Sequence, residues 1–257
     1  MRKTYALMAA LASSMVLMIG TGASAGTAAP ARPSTIYDAI QTTPGYAAIP
    51  KTGHATAFRY VTATYTVPII SDCAQDGPGV DDEAVGLGGS GHSSRATDVS
   101  PGEEAAGTNT SCNADGTVTY EAGYFNGSTD ITAFPVSPGD EIFASVDYDS
   151  TTKQYTYRVS DENSGKSLDV TQACPSGVSC STDSAQVTVD DEDSMYMFVA
   201  ADFQAIKITD SAGQQAGLSD ANWNLVAGTG APDQGGPGPG PIYSATSPAE
   251  SAFQITQ

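Results

Sequence analysis

Two acidic runs, Asp81-Asp82-Glu83 and Asp190-Asp191-Glu192-Asp193, and the glycine-rich stretch Val85 to Ser94 (VGLGGSGHSS) hold the residue types most able to do chemistry. Clustered carboxylates can hold calcium or activate a water molecule. Neither run has the spacing of a calcium loop, with its Gly and terminal Glu, so a solvated acidic loop is the plainer reading. The glycine-rich stretch lacks the Gly-x-Ser-x-Gly of a nucleophile elbow and the Lys of a phosphate loop. A Ser-His pair using His92 has no identifiable third member, and the default is a strand end running into a flexible loop. The second acidic run carries one further feature. Counting by twos back from Asp190 puts Thr188 and Gln186 on one strand face, with Val189, Val187 and Ala185 on the other. Asp190 therefore ends a polar stripe, which could line a water-filled groove or face bulk solvent, the commoner case.

The elements that must position these residues are short strands. From Phe58 to Pro68, Tyr60, Thr62, Thr64 and Thr66 alternate with Val61, Ala63, Tyr65 and Val67, giving one hydroxyl-rich and one mostly apolar face. Further period-two runs cover 117–125, 141–148, 154–160, 185–189, 203–209 and 252–256. Turn clusters such as Ser137-Pro138-Gly139-Asp140 and Asn163-Ser164-Gly165-Lys166 separate them. No segment after residue 25 carries a capped amphipathic helix of three turns. The pattern predicts an all-β chain, an antiparallel sandwich or barrel. Residues 26–50 read as an extended lead-in whose Tyr37 and Tyr46 could dock on a single domain spanning 51–257. The stretch 228–241 reads as a long loop returning a last strand to that domain.

The chain of 257 residues has 10 Lys plus Arg against 29 Asp plus Glu, a net charge of −19. That balance excludes nucleic acid and anionic membrane surfaces as partners, since both need clustered cations. Arg2 and Lys3, the apolar run Ala6 to Ile19 and Ala23-Ser24-Ala25 have the form of a secretory signal peptide, residues 1–25, cleaved after Ala25. Its removal takes two basic residues and no acidic one, leaving eight bases, 29 acids and a net −21. The expected location is extracellular. Cys73, Cys112, Cys174 and Cys180 make an even set, which favours disulfides in an exported chain. Cys174 and Cys180 flank a tight Pro/Gly loop that a local bridge would close, leaving Cys73 with Cys112. No Cys-x-x-Cys pair exists, and neither His54 nor His92 stands at ligand spacing from a cysteine, so a zinc site is not expected.

Several stretches in order resemble the glutamic peptidase family, the eqolisins, formerly grouped as pepstatin-insensitive acid peptidases. They are Tyr60-Val61-Thr62-Ala63-Thr64-Tyr65-Thr66-Val67-Pro68, Ala84-Val85-Gly86-Leu87-Gly88-Gly89, Tyr120-Glu121-Ala122-Gly123-Tyr124 and Phe134-Pro135-Val136-Ser137-Pro138-Gly139-Asp140-Glu141-Ile142. Two more follow, Ala185-Gln186-Val187-Thr188-Val189-Asp190 and Phe198-Val199-Ala200-Ala201-Asp202-Phe203. The resemblance covers about residues 44 to 257. It implies a single antiparallel β-sandwich of two bent, roughly seven-stranded sheets, with a substrate groove across the concave one. It implies hydrolysis of unfolded polypeptide at acid pH, with no metal or organic cofactor, and a monomer is expected.

In that family a Glu serves as general base on the attacking water, and a Gln amide holds the water and the oxyanion. By an ungapped count from Val85-Gly86 the Gln position falls on Asp98, and the Glu position falls on Asp190. An Asp in place of Glu withdraws the carboxylate by one methylene, and an ionised Asp in place of Gln has no hydrogen to donate. Two carboxyls sharing one proton would restore a donor in acid, so Asp98 and Asp190 form the expected catalytic pair, with activity weak or lost. The competing expectation is a non-catalytic module that keeps the groove for peptide or glycan. Tyr60, Tyr65 and Tyr124 would then offer stacking surfaces, and Gln186 and Thr188 the polar stripe.

Overall fold

Alternation of apolar and polar residues along short segments leaves each sheet one face to bury, and two sheets bury them against each other. The computed structural model describes residues 45–70, 73, 79–88, 104–127, 129–175, 181–192, 200–228, 244–245 and 251–256. The expectations for residues 1–25, Tyr37, His92, Asp98, Cys180, Asp193 and most of 228–241 lie outside the described residues. Fifteen strands lie among those described. They are β1 (Gly45–Pro50), β2 (Phe58–Thr66), β3 (Gly79–Leu87), β4 (Glu104–Cys112), β5 (Val118–Asn126), β6 (Asp130–Pro135), β7 (Glu141–Asp149) and β8 (Gln154–Asp161). There follow β9 (Ser167–Ala173), β10 (Ala185–Glu192), β11 (Ala201–Asp210), β12 (Gln215–Ala216), β13 (Trp223–Gly228), β14 (Ser244–Ala245) and β15 (Phe253–Thr256).

Two antiparallel sheets result. Sheet A runs β13-β1-β10-β3-β4-β5-β6, and sheet B runs β14-β15-β11-β2-β7-β8-β9 with β12 paired to β11. The all-β sandwich of seven-stranded ladders is the architecture expected from the sequence. Its core holds Val85, Leu87, Val187 and Val189 from sheet A against Val61, Ala63, Ile142, Val146, Val159 and Phe203 from sheet B. Burying residues of this size contributes roughly 1.5–3 kcal/mol each, the main force closing the sandwich.

The turns form where the sequence places them. In 137–140 the Asp140 carboxylate accepts from the Ser137 N–H at 2.7 Å, and Gly139 supplies a φ of +88°. At the β7–β8 turn the Asp149 carboxylate accepts from Thr151 N–H at 2.7 Å and the Thr152 hydroxyl at 2.9 Å. Cys73 and Cys112 are joined as expected, across a sequence separation of 39, and Cys174 is also disulfide-bonded.

Three expectations need correction. The sandwich begins before residue 51, because Gly45–Pro50 is β1, paired with both β10 and β13, and Tyr46 is buried edge-on against Phe253. Asp81-Asp82-Glu83 is not a solvated loop but the middle of β3, and β10 runs on to Glu192. The polar stripe of β10 does not face bulk solvent at Gln186 and Thr188, which are 1% and 7% exposed.

Sheet A packs its backbones most closely at two glycines. Gly107 on β4 stands opposite Gly123 on β5. A Cβ on Gly107 would lie 2.0 Å from the Glu83 carbonyl oxygen, and one on Gly123 2.3 Å from that of Ile131. Neighbouring backbones approach so closely there that only glycine fits, and the β5–β6 register shifts at the same place, between Ala122 and Gly123.

Candidate functional site

The register of sheet A assembles a surface that no single strand could. Asp190 on β10 stands opposite Asp82 on β3, Asp82 opposite Asn109 on β4, and Asn109 opposite Glu121 on β5. One row of four adjacent strands thus carries three carboxyl residues and one amide. The next row is Thr188, Ala84, Gly107 and Gly123, and the row after it Gln186, Gly86, Ala105 and Phe125. Beside the polar row the floor contributed by β3 and β4 is therefore alanine and glycine, and Gly123 continues it on β5. A depression opens there, lined by Asp82, Ala84, Gly107, Asn109, Glu121 and Thr132 among others.

Hydrogen bonds fix the polar row. Asn109 Nδ2 donates to Asp82 Oδ1 at 2.9 Å, and its Oδ1 accepts from the Ser111 hydroxyl at 2.8 Å. Thr132 on β6 donates to Glu121 Oε2 at 3.2 Å. The amide of Gln186 donates to the Gly88 carbonyl at 2.9 Å and to the Ser184 hydroxyl at 3.2 Å. The amides of Asn109 and Gln186 thus have acceptors within the protein.

Behind the row, facing sheet B, lies a buried polar cluster. Glu83 is wholly buried, with its Oε2 2.8 Å from the Thr108 hydroxyl and its Oε1 without a hydrogen-bond partner. Tyr65 crosses from sheet B, its OH donating to the Glu83 carbonyl at 3.0 Å and lying 3.0 Å from Thr108 Oγ1. Burial pushes the Glu83 carboxyl up to about 8, against the opposing hydrogen bond from Thr108. Burial and then the Glu83 charge push the Tyr65 phenol up as well. A second crossing joins Tyr157 of β8 to buried Glu104 of β4, the phenol donating to Oε2. Burial, with Glu104 next, raises the Tyr157 phenol.

These contacts place the expected site residues. Asp190 sits in β10 at the register position opposite Asp82, while its expected partner Asp98 lies outside the described residues. Tyr65 is not a groove residue. Its position on the apolar alternation of β2 turns it between the sheets, where it is 2% exposed and packs against Phe203. Tyr124 borders the depression, but its ring is stacked on Tyr157 with centroids 4.6 Å apart. Tyr60 pairs with Asp147 and Thr209 in sheet B, away from this face. Gln186 and Thr188 lie on the stripe as expected, but buried. The sequence offers Asp82 only as part of an acidic run and Glu121 only within a family-like stretch, and gives no sign of Asn109, because their juxtaposition depends on the pairing of β3, β4 and β5. Among the described residues no three His, Cys, Asp or Glu side chains converge to hold a metal ion.

The model of the peptidase A4 family matches residues 45–230. The chain belongs to the peptidase A4 family. Solved structures of the family share its fold at low identity. Scytalido-glutamic peptidase with a transition-state analogue inhibitor is 17% identical, with a TM-score of 0.60 over 84% of this chain and 98% of that one. SCP-B, an eqolisin in complex with the tripeptide Ala-Ile-His, is 18% identical, with a TM-score of 0.61 over the same shares. Aspergilloglutamic peptidase from Aspergillus niger is 21% identical, with a TM-score of 0.50 over 69% of this chain and 98% of that one. No curated protein matches the sequence. Membership in the A4 family brings the eqolisin resemblance, the sandwich and a polypeptide as the class of substrate together. No helix among the described residues is long and apolar enough to cross a membrane.

Proposed function

We propose that this A4-family chain is an exported protein that binds extended, unfolded polypeptide along the concave face of sheet A and has lost efficient hydrolysis. The observation that carries the reading is the register of sheet A, which sets Asp190 opposite Asp82. Peptide hydrolysis through a general base needs a carboxylate on the water and a hydrogen-bond donor for the developing oxyanion. Here a second carboxylate stands in the register position next to Asp190. Among the described residues of the row the one amide, Asn109, gives a hydrogen to Asp82 and takes one from Ser111. Gln186 is buried and turned to Gly88 and Ser184. A donor tied to a protein acceptor must break that bond to serve a transition state, which removes the preorganisation that makes such donors effective.

The floor of Ala84, Ala105, Gly107 and Gly123 supports binding, since a surface of small residues admits the backbone of an extended segment. Export after removal of residues 1–25 places the protein where unfolded polypeptide is met outside the cell, and the disulfide Cys73–Cys112 suits that setting.

The test uses purified secreted protein and reduced, alkylated casein at pH 2 to 7. Binding is followed by fluorescence anisotropy of labelled casein fragments and hydrolysis by release of new amino termini. Saturable binding without turnover is expected. Turnover in acid that Asp190→Ala abolishes would overturn this reading and restore the Asp98–Asp190 pair as the catalytic one. N-terminal sequencing of the secreted protein checks cleavage after Ala25.

A further inference from the structure

We infer that the groove of sheet A selects cationic polypeptide, taking Lys- or Arg-bearing extended segments over neutral or acidic ones. The inference rests on the peptide-binding reading above and adds the chemistry of the occupant. Among the described residues the depression is lined by Asp82, Glu121 and Asp130, and by no Lys, Arg or His. These carboxyl residues come from three different strands, β3, β5 and β6, so no single turn or acidic run accounts for their convergence. Asp190 extends the same row on a fourth strand. Asp82 and Glu121 stand on either side of Asn109 in that row, a concentration of like charge that a cationic occupant relieves.

The surroundings sharpen the match. Ala84, Gly107 and Gly123 hold the floor close to the backbone, leaving room for a long side chain to lie flat with its charged end at the row. Thr132 steadies Glu121, and Asn109 steadies Asp82, so two of the carboxylates are held in place before any ligand arrives. Lys166 lies near the outer end of the row, where its Nζ donates to the Pro135 carbonyl, and Pro135 is paired with Glu121. It marks the side on which the negative surface ends. Charge complementarity of this kind governs partner choice and encounter rate, and it weakens with salt.

The experiment compares three labelled peptides of equal length, Lys-rich, Glu-rich and Gly/Ser-rich with scattered Leu, binding to the full secreted protein at pH 7. The wild type is expected to bind the Lys-rich peptide at least tenfold more tightly than the neutral one in 20 mM salt. Most of that ratio should disappear in 500 mM salt. The chain as a whole is strongly acidic, so a control of equal charge change is needed. Glu121→Lys with Asp130→Lys, on the groove, should lower the ratio at least fivefold, with the Lys-rich peptide losing more affinity than the neutral one. Glu141→Lys with Asp202→Lys, on sheet B, should leave the ratio nearly intact. Circular dichroism checks that both variants are folded. An equal fall in both double variants would assign the preference to net charge and overturn the inference. Equal affinity of wild type for all three peptides would overturn it while sparing the peptide-binding reading. Failure to bind any peptide would overturn both.

Discussion

Glu83→Gln should flatten the dependence of stability on pH, and the size of the effect follows from the position of the carboxyl. Glu83 is buried between the sheets, and its ionisation is moved from the ordinary 4.5 to about 8. The folded protein therefore keeps this proton at pH values where the unfolded chain has released it. For an acid raised in this way, stability is greatest below the unfolded value near 4.5. It falls as pH rises toward 8 and levels off above. The displacement corresponds to about 5 kcal/mol across that window, a large part of the 5–15 kcal/mol that holds a typical domain.

The hydrogen bonds explain why the neutral form fits. A protonated Glu83 can donate to Thr108, Thr108 to the Tyr65 phenol, and Tyr65 to the Glu83 carbonyl, so every hydroxyl hydrogen has an acceptor. Gln keeps the shape and cannot ionise. Urea unfolding followed by the fluorescence of Trp223, the single tryptophan and a buried one, gives the free energy at pH 4.5, 6 and 8. Wild type and variant should agree within about 1 kcal/mol at pH 4.5 and diverge by up to about 5 kcal/mol at pH 8, with the variant the more stable. Parallel curves for the two proteins would refute the reasoning, whatever their absolute stability.

Three further outcomes are expected. Gly107→Ala should cost several kcal/mol or prevent folding, because its Cβ would sit 2.0 Å from the backbone oxygen of Glu83; a melting temperature within 2 °C of wild type, on the order of a small perturbation, would contradict this. Replacing Cys73 and Cys112 together by Ser should remove about 4 kcal/mol on the chain-entropy model for a loop closed across 39 residues, read by urea unfolding without reductant. Tyr157→Phe deletes the phenol that donates to buried Glu104 and should cost roughly 1–3 kcal/mol in the same measurement, more than loss of an exposed hydroxyl would.

The sequence pattern reveals those parts of the fold in which alternation and turn chemistry agree. β2, β7 and β8 alternate apolar and polar residues, and the Ser137–Asp140 turn uses Pro, Gly and Asp where geometry needs them. The same alternation contained the place of Tyr65, which shares the apolar face of β2 with Val61 and Ala63. Family resemblance drew it toward the groove instead. β1 and β4 are harder to read, because Gly-Tyr-Ala-Ala-Ile-Pro and Glu-Ala-Ala-Gly-Thr-Asn-Thr-Ser-Cys are poor in large β-branched residues. Their strands are held by neighbours on both sides rather than by intrinsic preference. Glu83 and Glu104 carry no local signal of burial, since an acidic residue usually stays at the surface. The row from Asp190 to Glu121 is a property of register, and register across four strands is fixed only by the assembled sheet.

The position of β1 in sheet A sets the order in which the molecule can be completed. Gly45 pairs with Thr188 on one side and Gly228 on the other, so the first described strand has no neighbour until the last third of the chain is present. A polypeptide threading outward from its amino end would carry this segment unpaired through most of its passage, and then close on it as a clasp closes on a thread. Such distant pairings make folding slow. They also make it conditional, because a chain cut short before residue 185 leaves both the clasp and the wall of the groove unbuilt. The sheet that carries the proposed groove is thereby complete only in molecules that have arrived whole.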